Sequence, residues 1–297
     1  MQFLGYARPW GGPVDGWHAA LRIAVRASIL VLAVLVSGCG SRTDPSGPQE
    51  NRVAHSRDHP ALPPVAAPVA RTLRVPVLTY HRVHRYESER QQSIPDLTVE
   101  PEVFERSMAA LKRRGFRSVT NQHVYDALFK ARPLPAKPVL VTVDDGYRDA
   151  VTNVLPVLRR HGMTATFFVI TGRLGSDEYL TKDDVQGLEA AGMDIGGHTS
   201  SHPDLTTLPQ PELRRETAGS RRQLARLLGH PVYFFAYPFG RYDADVVAQV
   251  RRAGYSVAFT TQTGARLSST GALLQPRIHV GRDATPDQVV EYVQEDR

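Results

Sequence analysis

The stretch PVLVTVDDGY, residues 138–147, decides the fold. Its first six residues carry no charge and are mostly β-branched or aliphatic, which is typical of a strand buried on both faces. Two carboxylates, Asp144 and Asp145, follow directly, and α/β folds build their sites at the carboxyl ends of parallel strands. An Asp-Gly turn between two strands would use the same dipeptide, so this stretch alone leaves both interpretations open.

Strands and helices alternate on both sides of this stretch. Short apolar runs predict strands at 74–81, 116–119, 138–143, 165–170, 193–197, 232–240, 255–260 and 275–280. Segments with a helical apolar period predict helices at 102–114, 123–129, 151–158, 183–190, 211–228 and 244–253, followed by a short C-terminal helix. This alternation predicts an α/β fold with a mostly parallel sheet or barrel and right-handed crossovers.

The first 39 residues have the features of an export signal. Arg22 and Arg26 precede an uncharged segment, 27–36, that is too short to cross a membrane as a helix. The segment ends in VSGC at 36–39, which resembles a bacterial lipobox and makes Cys39 the expected lipidation site. No other cysteine is present, so a disulfide or a thiolate metal site does not explain it. A chance cysteine after a signal peptide is the alternative, and the true start of translation stays open.

Residues 40–73 are rich in Pro, Ala and Ser without an apolar period, which predicts a disordered tether. The globular domain is then expected at 74–297. The net charge of +6 is spread over helices, without the basic run interleaved with aromatics that nucleic-acid binding favours. We therefore expect no nucleic-acid partner and an exported lipoprotein that faces the periplasm or the cell exterior, with the choice of inner or outer membrane open.

Two histidines lie four residues apart in HTSSH, residues 198–202. On a helical turn both rings would face one point, as a metal with nitrogen ligands requires. A catalytic metal takes three protein ligands, and Asp145 at another strand end would complete the set with His198 and His202. A surface turn with two unrelated histidines is the alternative.

Aromatic residues gather at strand ends. The strand that ends in FAYPFG at 235–240 breaks at proline and glycine, where main-chain amides can turn toward a ligand. Its aromatic side chains suit stacking on sugar rings, although core packing is their commoner use. Tyr147, Tyr237 and Phe239 are the candidate substrate contacts.

Several separated segments resemble one family, the polysaccharide deacetylases of carbohydrate esterase family 4, also called the NodB homology domain. They are TVDDG at 142–146, HTSSH at 198–202, FAYPFG at 235–240 and the spacer that ends at 198. The resemblance covers about residues 74–285. It implies a distorted (β/α) barrel and a divalent-metal hydrolase that removes acetyl groups from N-acetylhexosamine polymers.

The resemblance also assigns roles by position. It implies that Asp145, His198 and His202 hold the metal and that Asp144 is the general base. The main-chain amide of Phe239 is the implied oxyanion donor. The family motif R-P-P-Y-G stands here as AYPFG at 236–240, so the arginine that orients the base is missing, and Arg277 is the candidate replacement.

The family's late motif, which supplies a histidine as general acid, is not evident near the C-terminus. VLTYH at 77–81 resembles it, moved to the front of the domain. That order resembles the circularly permuted branch, which includes exported deacetylases of poly-β-1,6-N-acetylglucosamine. His81 is then the expected acid. His279 is the competitor because it follows the strand segment 276–278 near the C-terminus, but alternation with Ile278 leaves its direction undecided.

We therefore expect an N-deacetylase of an extracellular N-acetylglucosamine polymer, with poly-β-1,6-N-acetylglucosamine favoured. Peptidoglycan or chitin-oligomer deacetylation is the alternative within enzymes, and an inactive carbohydrate-binding lipoprotein is the alternative outside them. Two imidazoles and a carboxylate suit Zn²⁺ and also accommodate Co²⁺, Ni²⁺ or Fe²⁺. The expected partners are the polysaccharide and, through the lipid, the membrane; we expect a monomer.

Overall fold

The computed structural model describes residues 69–86 and 95–295. The expected signal peptide, Cys39 and nearly all of the tether lie outside these residues, so those expectations stay predictions. Across the described residues, no helix combines the length and the apolar character needed to cross a membrane.

The described residues form twelve strands and eight helices. The strands are β1 (Thr72–Arg74), β2 (Val77–Tyr80), β3 (Arg82–Val83), β4 (Thr98–Val99), β5 (Arg117–Ser118), β6 (Pro138–Val143), β7 (Thr166–Val169), β8 (Asp194–Gly197), β9 (Phe234–Ala236), β10 (Val257–Thr263), β11 (Arg266–Ser268) and β12 (Gln275–His279). The helices are α1 (Pro101–Arg113), α2 (Asn121–Lys130), α3 (Leu155–His161), α4 (Lys182–Ala190), α5 (Gln210–Arg214), α6 (Ser220–Leu228), α7 (Ala244–Arg252) and α8 (Pro286–Gln294).

Seven parallel strands close a barrel. Neighbours follow the order β2, β12, β10, β9, β8, β7 and β6, and β6 pairs back with β2. The short β5 adds to the start of β6, while the pairs β1 with β11 and β3 with β4 stand outside the barrel. The predicted (β/α) barrel is therefore confirmed, and the alternative of an open sheet is excluded by the β2–β6 pairing.

Alternate residues of each barrel strand face opposite sides, as the pleat requires. Leu78, Val141 and Phe167 belong to the large core cluster that packs against the helices. Leu140 and Phe168 belong to a second cluster, made of the other strand positions together with side chains of α2. Because of this alternation, the first residue after a strand can face the inside of the barrel at its mouth. Asp144, two positions beyond Thr142 in β6, is such a residue.

Three predicted elements have different boundaries or internal structure in the folded chain. We expected Asp183 or Asp184 to cap α4, but Thr181 is the cap, and Asp184 accepts from its backbone to complete a capping box. The predicted helix at 211–228 contains a π-helical turn, Arg215–Gly219, between α5 and α6. The predicted strand at 232–240 shortens to β9, because its last part forms a 3₁₀ turn, Pro238–Gly240.

Candidate active site

Asp144 and Arg277 form a buried bidentate ion pair inside the barrel mouth. Arg277 Nη1 lies 2.9 Å from Oδ1 of Asp144, and Nη2 lies 2.7 Å from Oδ2. The Nε–H of Arg277 donates to the carbonyl of Thr260 at 3.0 Å, so the guanidinium is held at both ends. Each of the two charged side chains is 2% exposed. The structure thus places Arg277 against the predicted base, on a strand different from the one that ends in Ala236.

The charge state of Asp144 follows from this pair. Burial by itself raises the pKa of Asp144, but the charge of Arg277, the charge of His198 and the hydrogen bonds of Arg277 hold that pKa well below its usual range. Asp144 is therefore ionised at neutral pH. Each oxygen of Asp144 accepts one hydrogen bond from Arg277 and has a second lone pair that can accept from another donor.

The chain leaves β6 through two residues in the left-handed region. Asp145 has φ 72° and Gly146 has φ 77°. Aspartate tolerates this conformation better than most residues, and glycine adopts it freely. The turn sends consecutive carboxylates to different partners: Asp144 to Arg277, and Asp145 to two histidines.

Asp145, His198 and His202 converge on one point. Asp145 Oδ1 lies 3.3 Å from Nε2 of His198 and 3.5 Å from Nε2 of His202, and the two Nε2 atoms are 3.1 Å apart. Within the described part of the chain, this is the group of His, Cys, Asp and Glu side chains whose ligand atoms could hold a metal ion.

The donor set fits a divalent cation. Nδ1 of His198 lies 2.8 Å from the carbonyl of Ala236, and because a carbonyl only accepts, Nδ1 carries the proton and the neutral ring keeps its lone pair on Nε2. Oδ1 of Asp145 is buried without a hydrogen-bond donor. Lone pairs that face each other at these distances repel unless a positive charge lies between them. The predicted three residues could therefore hold a metal, whose identity this geometry does not select.

The electrostatics of the histidines agree with such a site. Burial lowers the pKa of His198, but the close approach of the Asp145 carboxylate and the charge of Asp144 raise it above its ordinary value. Burial and the charge of His198 lower the pKa of His202 to about 4. The site therefore attracts one positive charge, and a cation would compete there with a proton.

The segment between the two histidines is a bend, and the expected helical turn was wrong. Thr199 has φ 67° and His202 has φ 64°, both in the left-handed region. The His202 amide donates to Oγ1 of Thr199 at 2.9 Å, which folds the segment back on itself. The rings converge all the same, because a tight bend brings positions four apart together as a helical turn does.

His81 and His279 lie side by side at the barrel mouth. His279 pairs with Thr79 across the β12–β2 ladder, and the ring centroids of His81 and His279 are 5.6 Å apart. Ile278 belongs to the core cluster under the helices, so alternation puts His279 on the side of Arg277. This resolves the direction that the sequence left undecided.

The two histidines differ in their surroundings. Nδ1 of His81 is buried without a partner, whereas His279 is exposed. Burial lowers the pKa of His81, against the opposing charges of Asp144 and Asp145. Burial also lowers the pKa of His279, and the next influence on it is His81, ahead of any carboxylate. The charges of both acids thus act on the pKa of His81, whereas the charge of Asp144 is the one that opposes burial at His279.

Phe239 stands at the rim of the metal-binding group. Its φ is 57°, its side chain is 57% exposed, and its ring centroid lies 4.6 Å from that of His202. Among the described residues, its amide has no hydrogen-bond acceptor. Gly240 next to it is required by space, since a Cβ there would lie 2.6 Å from the amide nitrogen of Thr261.

Tyr237 was wrongly expected to contact substrate. It is 1% exposed, and its ring packs against Phe235 and Tyr242 in the core under the helices. Alternation explains the error: Phe235 and Tyr237 share the outward face of the chain, so the aromatic pattern reports core packing here.

Tyr147 is half-buried and already has aromatic and cationic neighbours. Its ring stacks on Tyr179 at 4.9 Å, and the Arg82 guanidinium lies 4.5 Å from its centroid. These contacts leave less of the ring for a sugar, and contact of Tyr147 with substrate stays a prediction. Arg82 in turn forms a buried pair with Asp149 at 3.1 Å, which ties the loop after β6 to β3.

Sequence reasoning missed this Arg82–Asp149 pair. It also missed Glu216, whose carboxylate accepts hydrogen bonds from Ser200 and Ser201 in the bend. Asp149 follows the predicted site residues closely in sequence and Glu216 lies in a predicted helix, but a lone charged residue in either place gives no signal of a buried contact. Burial raises the pKa of Asp149 to about 6 against the charge of Arg82, so this is not a solvated carboxylate.

Residues 131–258 match the family model described as polysaccharide deacetylase. This segment carries Asp144, Asp145, His198 and His202, and by this match it is a polysaccharide deacetylase domain. The deacetylases of this family are hydrolases that cleave carbon–nitrogen bonds, so the predicted enzyme class is confirmed.

Similar proteins extend the match beyond that segment. YxkH of Bacillus subtilis, which carries the name of the family, is 28% identical over 207 residues, 70% of this chain and 71% of that relative. The solved structure of the Streptococcus pyogenes deacetylase PplD in complex with acetate is 28% identical, has a TM-score of 0.69, and is matched over 76% of this chain and 99% of that one.

Two further deacetylases differ in the substrates that their names give. A poly-beta-1,6-N-acetyl-D-glucosamine N-deacetylase of Staphylococcus aureus is 22% identical over 229 residues, 70% of this chain and 79% of the relative. A peptidoglycan-N-acetylmuramic acid deacetylase of Bacillus subtilis is 30% identical over 137 residues, 46% of this chain, and the match spans half of that relative.

Arg277→Met tests the pair with Asp144. The variant leaves a buried carboxylate without its counter-charge, so we expect the free energy of unfolding at pH 7 to fall by about 3–5 kcal/mol. Arg277→Met/Asp144→Asn should recover a large part of this loss, because no charge is then buried alone. Urea unfolding measures both, with Arg113→Met on the exposed face of α1 as the control.

The pH dependence has a definite sign. The folded pKa of Asp144 lies below the unfolded one, so its contribution to stability is complete above about pH 4 and is lost as the pH falls through the folded value. In Arg277→Met, burial becomes the dominant influence on the pKa of Asp144 and raises it against the remaining charges of His198 and His81, so stability should instead rise as the pH falls toward 4. If Arg277→Met is as stable at pH 7 as the control Arg113→Met, the pair of Asp144 and Arg277 does not stabilise the fold as the structure implies.

Proposed function

We propose that the protein is a metal-dependent N-deacetylase that hydrolyses acetamide groups of an extracellular N-acetylglucosamine polymer, with poly-β-1,6-N-acetylglucosamine the favoured substrate. The observation that carries the proposal is the convergence of Asp145, His198 and His202 beside the ionised, oriented Asp144. One of these two adjacent carboxylates is free to bind a cation, and the other is held ready to accept a proton.

Asp144 takes the proton from the attacking water. Its plane is fixed by Arg277, and its remaining lone pairs point away from the guanidinium. The pair with Arg277 keeps Asp144 ionised but makes it a weak base. A divalent cation held by the neighbouring triad would polarise the acetamide carbonyl and acidify water, which is the chemistry that lets so weak a base act.

Phe239 and His81 complete the reaction. The free amide of Phe239, held in a left-handed turn beside His202, donates a hydrogen bond to the oxygen that becomes negative during attack. His81, on the carboxylate side of the mouth, gives its proton to the leaving amine as the carbon–nitrogen bond breaks. The products are acetate and a free amine on the sugar. The exposed ring of Phe239 offers an apolar face for the acetyl group or the sugar.

The choice of polymer rests on two supports. The relative from Staphylococcus aureus is named for poly-β-1,6-N-acetylglucosamine and is matched over 79% of its length, against half for the peptidoglycan relative. His81 at the front of the domain also agrees with the permuted order that the resemblance implies. Peptidoglycan or chitin oligomers are the second candidates, because a relative named for peptidoglycan has the higher identity.

A substrate panel tests the function. The purified protein, stripped of metal and reconstituted with Zn²⁺, Co²⁺, Ni²⁺ or Fe²⁺, should release acetate from poly-β-1,6-N-acetylglucosamine faster than from peptidoglycan or chitin oligomers. Asp145→Ala, His198→Ala and His202→Ala should lose metal binding and, with it, acetate release. His230→Ala is the matched control, since His230 pairs with Glu189 away from this group.

Each outcome of the panel has a clear meaning. Full acetate release from the three triad variants would contradict metal dependence. Faster release from peptidoglycan would move the substrate to the second candidate. If the wild-type protein takes up no metal, binds glycan and releases no acetate, the conclusion would be a carbohydrate-binding lipoprotein without catalytic activity.

The proton donor is tested by comparing two histidine variants. We expect His81→Ala to lower kcat by about 100-fold or more, because proton donation by a placed side chain contributes roughly 10²–10⁴-fold. His279→Ala should have a much smaller effect, since His279 is exposed and its ring belongs to the rim of the barrel. Acetate release under saturating substrate measures both, and the opposite order would give the role to His279.

We also propose that the mature protein is an exported, monomeric lipoprotein anchored through Cys39. In a bacterial host grown with a labelled fatty acid, the wild type should incorporate label and sediment with membranes. Cys39→Ser should take up no label and leave the membrane fraction. An unlabelled wild-type protein would show that the VSGC segment is not a lipobox.

A further inference from the structure

We propose that Glu216 is a positioning residue for metal binding: it holds the bend 199–201 in the strained shape that aims His198 and His202 at one point. This inference rests on the proposed metal dependence. No direct contact between Glu216 and the histidines is involved, because its carboxylate acts on the peptide groups between them.

Glu216 binds the tip of the bend with both oxygens. Its Oε2 accepts the amide N–H of Ser200 at 2.8 Å and that of Ser201 at 2.8 Å. Its Oε1 accepts the Oγ–H of Ser201, also at 2.8 Å. Hydrogen bonds to an ionised acceptor are about twice as strong as neutral ones, and three of them meet on this carboxylate.

The opposite side of the bend is held by the loop after β7. The carbonyl of Thr199 accepts from the amide of Thr171 at 3.1 Å, and the carbonyl of Ser200 accepts from the amide of Gly172 at 2.7 Å. The approach at Gly172 is so close that a Cβ there would meet the Ser200 carbonyl oxygen. The polar groups of the bend thus have partners on both sides.

Such complete bonding is needed because the bend is strained. Thr199 and His202 both have positive φ, and for the β-branched Thr199 this is a rare conformation. Each such residue costs about 1–3 kcal/mol and persists only where the surroundings over-determine it. Glu216 supplies three of the bonds that do so.

The helix that carries Glu216 is irregular at this point. Residues Arg215–Gly219 form a π-helical turn between α5 and α6, and such turns cluster at functional sites. The extra residue of the turn shifts the face of the helix locally. The same turn brings the Arg215 carbonyl within 3.4 Å of Oγ of Ser200.

The two histidines depend on the bend to different degrees. His198 is 3% exposed and anchored through Nδ1 to Ala236, whereas the side chain of His202 is 22% exposed. Among the described residues, His202 contacts Thr199, His198, Asp145 and the ring of Phe239. Loss of Glu216 should therefore free His202 first, weakening metal binding while the barrel stays folded.

Glu216→Gln tests this directly. The amide keeps the size of the side chain but loses the negative charge and one accepting oxygen. With its oxygen in the place of Oε2, the two N–H bonds become weaker neutral ones, and the NH₂ group faces Oγ of Ser201, which no longer has an acceptor there. Glu212→Gln is the matched control, since Glu212 lies on the preceding turn, is exposed and pairs with Arg215. Ser201→Ala leaves Glu216 unchanged and removes the hydrogen bond that Oγ of Ser201 donates to Oε1 of Glu216.

We expect the dissociation constant for Zn²⁺, measured by competition with a chromophoric chelator, to rise about 10-fold or more in Glu216→Gln, as for supporting residues of other metal sites. It should rise less in Ser201→Ala and stay unchanged in Glu212→Gln. Thermal unfolding of the metal-free proteins reports any purely structural effect. At saturating Zn²⁺, the kcat of Glu216→Gln should return toward the wild-type value.

Unchanged Zn²⁺ affinity in Glu216→Gln would overturn the inference, as would an affinity loss equal to that in Glu212→Gln. A Glu216→Gln protein that does not fold, together with unchanged affinity in Ser201→Ala, would assign Glu216 to stability and also overturn it. A wild-type protein that binds no Zn²⁺ would instead refute the proposed function. Zn²⁺ binding that depends on Glu216 without acetate release would leave this inference standing and refute the deacetylase.

Discussion

The buried pair between Asp144 and Arg277 is the interaction on which the site depends. Two opposite charges at 2% exposure are stable only with close geometry and with their other hydrogen bonds satisfied, and Arg277 meets this through Thr260 and both oxygens of Asp144. The pair links the end of β6 to β12 across the barrel interior. It therefore fixes a carboxylate at the mouth, and the loop after it starts from a fixed point.

From that point, a single change of backbone conformation separates two adjacent acids. Asp145 turns into the left-handed region, so its carboxylate leaves the guanidinium and meets two imidazoles. The charge of Asp144 is balanced by the guanidinium of Arg277. The carboxylate of Asp145 instead faces the lone pairs of neutral imidazoles, which repel it. Division of labour between neighbouring carboxylates thus follows from local geometry and from the position of one arginine.

Strain recurs around the metal-binding group. Asp145, Thr199, His202 and Phe239 all have positive φ, and they lie in the loops that follow β6, β8 and β9. Strained residues persist where surrounding contacts over-determine them, and they gather at functional sites. Here the contacts come from buried or partly buried groups, such as Glu216, Thr171 and Gly240, that take no part in the chemistry.

Local patterns in the sequence were sufficient for the fold class, for the two carboxylates after a buried strand and for the paired histidines. Those features depend on runs of neighbouring residues, so hydrophobic period and motif spacing report them. The shape of HTSSH was predicted wrongly because four-residue spacing fits a helical turn and a bend alike. Tyr237 was placed wrongly because an aromatic at a strand end can face either side of the sheet.

Only the tertiary structure decided which distant groups meet. Arg277 was a candidate because the family resemblance implies an arginine that is missing at Ala236, and its contact with Asp144 depends on barrel closure between β2, β6 and β12. In the sequence, Glu216 is one of several charged residues in a predicted helix, and only the fold shows that its carboxylate contacts the bend. The direction of His279 likewise followed from packing of Ile278 under the helices. The physical reason is common to all three: contacts between residues far apart in the chain are set by strand order and packing, which no local pattern of residues encodes.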